Sequence, residues 1–75
     1  MKKLIDFLDK LEDATIHYQL YKVRDAIMVE VRVPGQRWEV EFFADGSVEI
    51  EKFISENGSL YGEEELEVLF RDFSD

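Results

Sequence analysis

Five glutamates, Glu30, Glu39, Glu41, Glu49 and Glu51, have the residue type and spacing to do chemistry together. Each occupies an alternate position in a segment that switches between apolar and polar residues: Val29-Glu30-Val31, Trp38-Glu39-Val40-Glu41-Phe42 and Val48-Glu49-Ile50-Glu51. Period-two alternation puts such residues on one face of a strand, behind its apolar face. Carboxylates gathered on one face could hold a divalent cation, supply acid and base for glycoside chemistry, or meet the basic side chains of a protein partner.

The rest of the chain separates these chemistries. Hard-cation sites usually draw oxygen ligands from a folded loop as well, and no such loop motif is present. Glycoside chemistry needs two carboxyl groups held across a cleft, which an open sheet face does not supply. His17 is the one histidine. A general base also needs a pocket and usually a nucleophile or metal, and the alternation around His17 puts it on the outer face beside arginines. Cysteine, a phosphate-cradling glycine loop and a His-rich metal motif are all missing. The expectation is a noncatalytic protein without cofactor or metal.

The elements that must position the glutamates follow from the turns. Asp45-Gly46 lies between alternating segments and marks a hairpin. A two-residue turn would set Phe42 opposite Glu49 and mix apolar with charged side chains. A three-residue loop, Ala44-Asp45-Gly46 with the glycine left-handed, pairs Phe42 with Val48 and Val40 with Ile50. Arg24-Asp25 as a two-residue connection pairs Leu20 with Val29 and Tyr18 with Val31. Pro34-Gly35 suits the centre of a type II turn and pairs Val31 with Trp38.

Combined, these registers predict three rows on the outer face. One reads Tyr21, Met28, Glu41, Glu49; the middle row reads Gln19, Glu30, Glu39, Glu51; the third reads His17, Arg32, Arg37, Phe53. Opposed side chains in such a sheet lie about 4.5–5.5 Å apart at Cβ, so adjacent glutamates destabilise the fold locally. The expected site is therefore a partner-binding surface: Glu30, Glu39, Glu41, Glu49 and Glu51 for charge, with Tyr21, Met28 and Phe53 for apolar contact. The alternative is a structural domain that self-associates as a homodimer through an edge strand or the flanking apolar residues, the acidic face serving only solubility. The expected state is a monomer or a weak homodimer. Trp38 falls on the inner face and belongs to the core, whereas Phe43, Phe53 and Tyr61 have no assured burial.

Leu4, Ile5, Leu8 and Leu11 recur at helical spacing, with Phe7 on a flank, and predict a helix from about Lys3 to Glu12. Its terminal charges oppose its macrodipole, so packing must hold it. Lys52 and Phe53 interrupt the alternation of the fourth strand, and Asn57-Gly58 reads as its end. After Gly62, Leu66, Leu69, Phe70 and Phe73 form the stripe of a second helix, with Gly62 as N-cap, Glu65 reaching back and Glu67 paired to Arg71. The predicted fold is α+β in two layers. An antiparallel meander of four strands, order 1-2-3-4, carries an N-terminal and a C-terminal helix on one face. A further strand at residues 59–61 has no support in the pattern.

Seventy-five residues make a single domain, residues 1–75. A hydrophobic fraction of 45% with one proline argues for a folded globule over an acidic tail. The formal net charge of −9 repels phosphate backbones and anionic membrane surfaces, and favours basic proteins. Asp6 and Asp9 interrupt any apolar run after Lys2-Lys3, and no stretch approaches a membrane span. The expectation is a cytoplasmic bacterial protein.

The stretch from Trp38 to Glu51, with its Phe43-Ala44-Asp45-Gly46-Ser47 turn, resembles hairpins in small acidic bacterial proteins of the toxin-immunity type. The resemblance covers one hairpin. It implies a partner-blocking protein that binds a basic toxin or nuclease, and it carries no residue signature that assigns positions.

Overall fold

A computed structural model describes residues 1–55 and 57–73. The chain runs α1 (Lys2–Asp13), β1 (Tyr18–Val23), β2 (Ala26–Val33), β3 (Gln36–Phe43), β4 (Val48–Ile54), β5 (Asn57–Tyr61) and α2 (Glu65–Phe73). All five strands form one antiparallel meander in the order β1-β2-β3-β4-β5. The two-layer α+β reading holds, but the sheet has five strands instead of four.

The three turns set the registers as their lengths require. Leu20 lies opposite Val29, Val31 opposite Trp38, and Phe42 opposite Val48. Gly35 and Gly46 take φ values of 78° and 91°, the left-handed conformations that the type II turn and the three-residue loop demand. Across that loop, the Phe43 amide donates to the Ser47 carbonyl at 2.9 Å. Asp45 Oδ1 accepts from the Ser47 amide at 2.9 Å and the Ser47 hydroxyl at 2.6 Å. These donors, the hydroxyl first and the amide second, hold the Asp45 carboxyl below its ordinary value of 3.8.

A group whose folded pKa is depressed adds stability above its unfolded value and loses it as pH falls through the folded value. Carbon-detected titration should therefore place the Asp45 midpoint below the ordinary carboxylate range, and Ser47→Ala should move it upward. A midpoint unmoved by Ser47→Ala would contradict this account of the loop.

The fifth strand escapes sequence pattern because its ladder leans on β4 and not on a face of its own. Asn57-Gly58 opens β5, and Ile54 pairs with Asn57, Phe53 with Gly58 and Glu51 with Leu60. Gly58 fits because the Phe53 ring and the Glu51 carboxylate cover it; a Cβ there would lie 2.6 Å from Glu51 Oε2 and 3.0 Å from Phe53. Lys52 and Phe53 are no break in β4. Pairing continues through both, with Trp38 opposite Lys52 and Arg37 opposite Phe53.

The core lies between the inner sheet face and both helices: Val29, Val31, Trp38, Val40 and Ile50 meet Leu4, Phe7 and Leu11 of α1 and Leu69 of α2. The buried stripe of α1 is rotated from the expected one, since Phe7 is fully enclosed and Ile5 is half exposed. Phe7 packs at a tilt against Phe42 and edge-on against Phe70, with ring centroids 5.5 and 5.8 Å apart, and the larger aromatic surface decides which face turns inward. The charges that oppose the dipole of α1 are used in other contacts. Lys2 pairs with Asp6 at 3.2 Å, and Lys3 reaches Glu63 at 3.0 Å and the Gly46 carbonyl at 3.1 Å.

α2 begins later than an N-cap at Gly62 would set it, at Glu65. Glu65, Leu66 and Glu67 donate to the carbonyls three residues back, a tight lead-in through Gly62, Glu63 and Glu64. The expected pairs at this helix are replaced by others. Arg71 Nε donates to Asp72 at 3.0 Å instead of meeting Glu67, and Glu65 turns to Lys52 at 3.1 Å instead of capping its own helix. The Arg71–Asp72 bond raises the pKa of Arg71 further.

Candidate functional site

The outer face, which neither helix covers, carries the predicted rows. Tyr21, Met28, Glu41 and Glu49 align in register, as do Gln19, Glu30, Glu39 and Glu51. Arg32, Arg37 and Phe53 align in the third row, and the Arg32 amide donates to the His17 carbonyl at 3.4 Å, which places His17 at its start. β5 extends the middle row by Leu60, 79% exposed, and the third by Gly58. A fourth row, Val23, Ala26 and Phe43, closes the far end, where Ala26 is buried between its neighbours. That row gives Phe43 a place outside the main core.

The five carboxylates are not equivalent. Arg37 Nη1 lies 3.6 Å from Glu30 and also bonds Glu39, while Arg32 Nη2 lies 3.5 Å from Glu30. Arg37 is itself seated on Phe53, its guanidinium carbon 4.1 Å from the ring centroid. Glu30 and Glu39 are thereby drawn into an arginine network one diagonal away, and their side chains are mostly covered. Among the described residues no ion pair involves Glu41, Glu49 or Glu51. Those three remain as a compact patch on β3 and β4, with Glu41 and Glu49 directly opposed.

The face therefore divides. Beside the patch lie Tyr21 and Met28 on one flank and Leu60 on the other, with Arg37 on Phe53 along one rim. Met28 and Phe53 are half-buried, and Tyr21 is exposed. Leu60 was missed in the sequence because β5 was not recognised. Its signal is the alternation of Gly58 and Leu60 against Ser59 and Tyr61, too short and too polar to stand alone.

His17 borders a shallow recess of about 260 Å³ shared with Tyr18, Gln19, Glu30 and Arg32. In that recess the Tyr18 hydroxyl donates to Glu12 at 2.6 Å and Glu30 faces the arginines. The Glu12 hydrogen bond, more than burial or nearby charge, raises the Tyr18 pKa by holding its proton. Among the described residues no group of three or more histidine or acidic side chains is disposed to hold a metal ion. No helix among them is long and apolar enough to cross a membrane.

A second charged cluster lies on the inner face and was not foreseen. Lys52 points toward the helices, with Nζ 3.1 Å from Glu65, 4.7 Å from the centre of the Trp38 ring and 5.5 Å from that of Tyr61. This ammonium ties α2 to the sheet and covers the end of the core with its methylene stem. No protein-family model, no curated protein and no solved structure matches the chain.

Proposed function

We propose that this chain is a noncatalytic binding module whose outer sheet face engages a basic protein, in the manner of an inhibitor or immunity protein. The observation that carries the reading is the uncompensated trio Glu41, Glu49 and Glu51. The fold supplies arginines to Glu30 and Glu39 and leaves these three without a cation among the described residues. Opposed like charges on a sheet cost a few tenths of a kcal/mol to about 1 kcal/mol, so the arrangement opposes stability. A basic partner reverses that sign, because its lysines and arginines complete the pairs. Tyr21, Met28 and Leu60 then supply apolar contact around the charged centre.

The test compares the parent with Glu41→Gln/Glu49→Gln/Glu51→Gln in low-salt capture from host lysate, read by mass spectrometry. These amides keep side-chain shape and leave the arginine network intact. The triple variant should be as stable as the parent or more so, by up to about 1 kcal/mol. It should also lose the basic proteins that the parent retains and that added salt releases. Equal capture by parent and variant would remove the acidic face from the binding site.

A further inference from the structure

β1 is a free edge of the sheet, and it differs from the rest of the molecule. Residues 14–24 form the longest stretch of the chain without a carboxylate, and they contain His17, Lys22 and Arg24. Five of the six β1 residues are exposed, Leu20 by 50%. The strand pairs in continuous register with β2, without bulge or proline, so Lys22 is its sole charged guard against edge pairing.

Backbone direction follows from one bond. The Arg32 amide donates to the His17 carbonyl, so in an antiparallel pair the odd residues of β1 turn their backbone groups toward β2. Tyr18, Leu20 and Lys22 turn theirs to the open edge. These same residues line the inner face in a charge order. Lys22 stands at one end, where its ammonium reaches the Arg24 carbonyl and no carboxylate, and Leu20 is in the middle. Tyr18 is at the other end, with the Glu12 carboxylate 2.6 Å from its hydroxyl. A two-fold axis at Leu20 sets this row against itself in reverse, and the charges then match.

We propose that β1 pairs with β1 of a second copy of this chain, antiparallel about a two-fold axis at Leu20. Leu20 then meets Leu20 of the second copy, and Lys22 faces the Tyr18–Glu12 pair twice over. Backbone groups of all three outward residues become bonded pairs. On the outer face Gln19 meets Tyr21 in both directions. The contact is isologous and closes on itself, giving a continuous sheet of ten strands. β5 fits such pairing poorly, since it contains Gly58 and leads directly into Glu63 and Glu64. The pairing is separate from the acidic patch, and it sets two such patches side by side.

The test is sedimentation with residue-resolved amide exchange, from about 10 µM to about 1 mM protein at about 0.15 M salt, where long-range repulsion is screened. A dimer should appear with rising concentration, and protection of the Tyr18, Leu20 and Lys22 amides should rise with it. Gln19 and Tyr21 amides, already bonded to β2, should stay unchanged. Lys22→Glu and Glu12→Lys should each weaken the dimer at least about tenfold, and the double exchange should recover most of the loss. The triple glutamine variant of the acidic face should dimerise as the parent does. A monomer at every concentration would overturn the proposal, as would a dimer whose edge amides stay unprotected or a charge exchange without rescue.

Discussion

Trp38→Ala should remove a large share of the stability of the protein at 25 °C. Trp38 is wholly enclosed at the centre of the inner face, opposite Val31 on one side and Lys52 on the other. Its indole nitrogen donates to Gln36 at 2.9 Å, so even its one polar atom is satisfied. Truncating a buried tryptophan costs about 3–5 kcal/mol through lost transfer energy and the cavity left behind. A domain of this size holds roughly 4–11 kcal/mol in total, at about 0.05–0.15 kcal/mol per residue. The loss is compounded here because the indole face also receives the Lys52 ammonium, which would otherwise look onto a void. Urea titration followed by far-UV circular dichroism should show the midpoint collapse, with Trp38→Phe intermediate. A loss below about 1 kcal/mol would mean that the core is centred elsewhere.

The second large effect is expected at the Lys52–Glu65 pair, where only 11% and 16% of the side chains remain exposed. Glu65→Ala leaves an ammonium largely out of water, with aromatic faces as its remaining support. Stranding a fully buried charge costs about 3–5 kcal/mol, and the residual exposure of this pair argues for a smaller loss of about 1–3 kcal/mol. Replacing both partners, as Lys52→Met/Glu65→Leu, removes the desolvation penalty together with the attraction. That variant should be close to parental stability or above it. The contrast between single and double variants separates an ion pair from simple packing. Exchange of α2 amides should rise in Glu65→Ala first, since this pair anchors that helix to β4. A double variant as unstable as the single one would show that the attraction within the pair exceeds its desolvation cost, since methionine keeps the bulk of the Lys52 stem.

The outer face was legible in the sequence to the level of individual neighbours, because register is a matter of counting. Arg24-Asp25, Pro34-Gly35 and Ala44-Asp45-Gly46 each allow one loop length that keeps apolar residues on one face, and a slip of one residue would expose them all. Glu41 opposite Glu49 and Glu39 opposite Glu51 follow from that arithmetic. The pairing state of those glutamates does not. Arg37 could have reached several carboxylates, and its seat on Phe53 selected Glu30 and Glu39. The carboxylates left without a cation among the described residues are thus three and not five. Periodicity weighs all apolar residues of α1 alike, whereas packing favours Phe7, the ring that fits between Phe42 and Phe70.

The sequence by itself determined the two helices, the first four strands, the first three strand registers and the gathering of carboxylates opposite the core, since alternation and turn length are local and strict. Tertiary structure decided the rest. β5 is held by its ladder to β4, the arginines are distributed by a stacking contact, and Lys52 finds Glu65 thirteen positions away. Each of these depends on long, rotatable side chains or on a short polar segment with no face of its own. Their conformations are chosen by what the fold brings within reach, which local pattern does not encode.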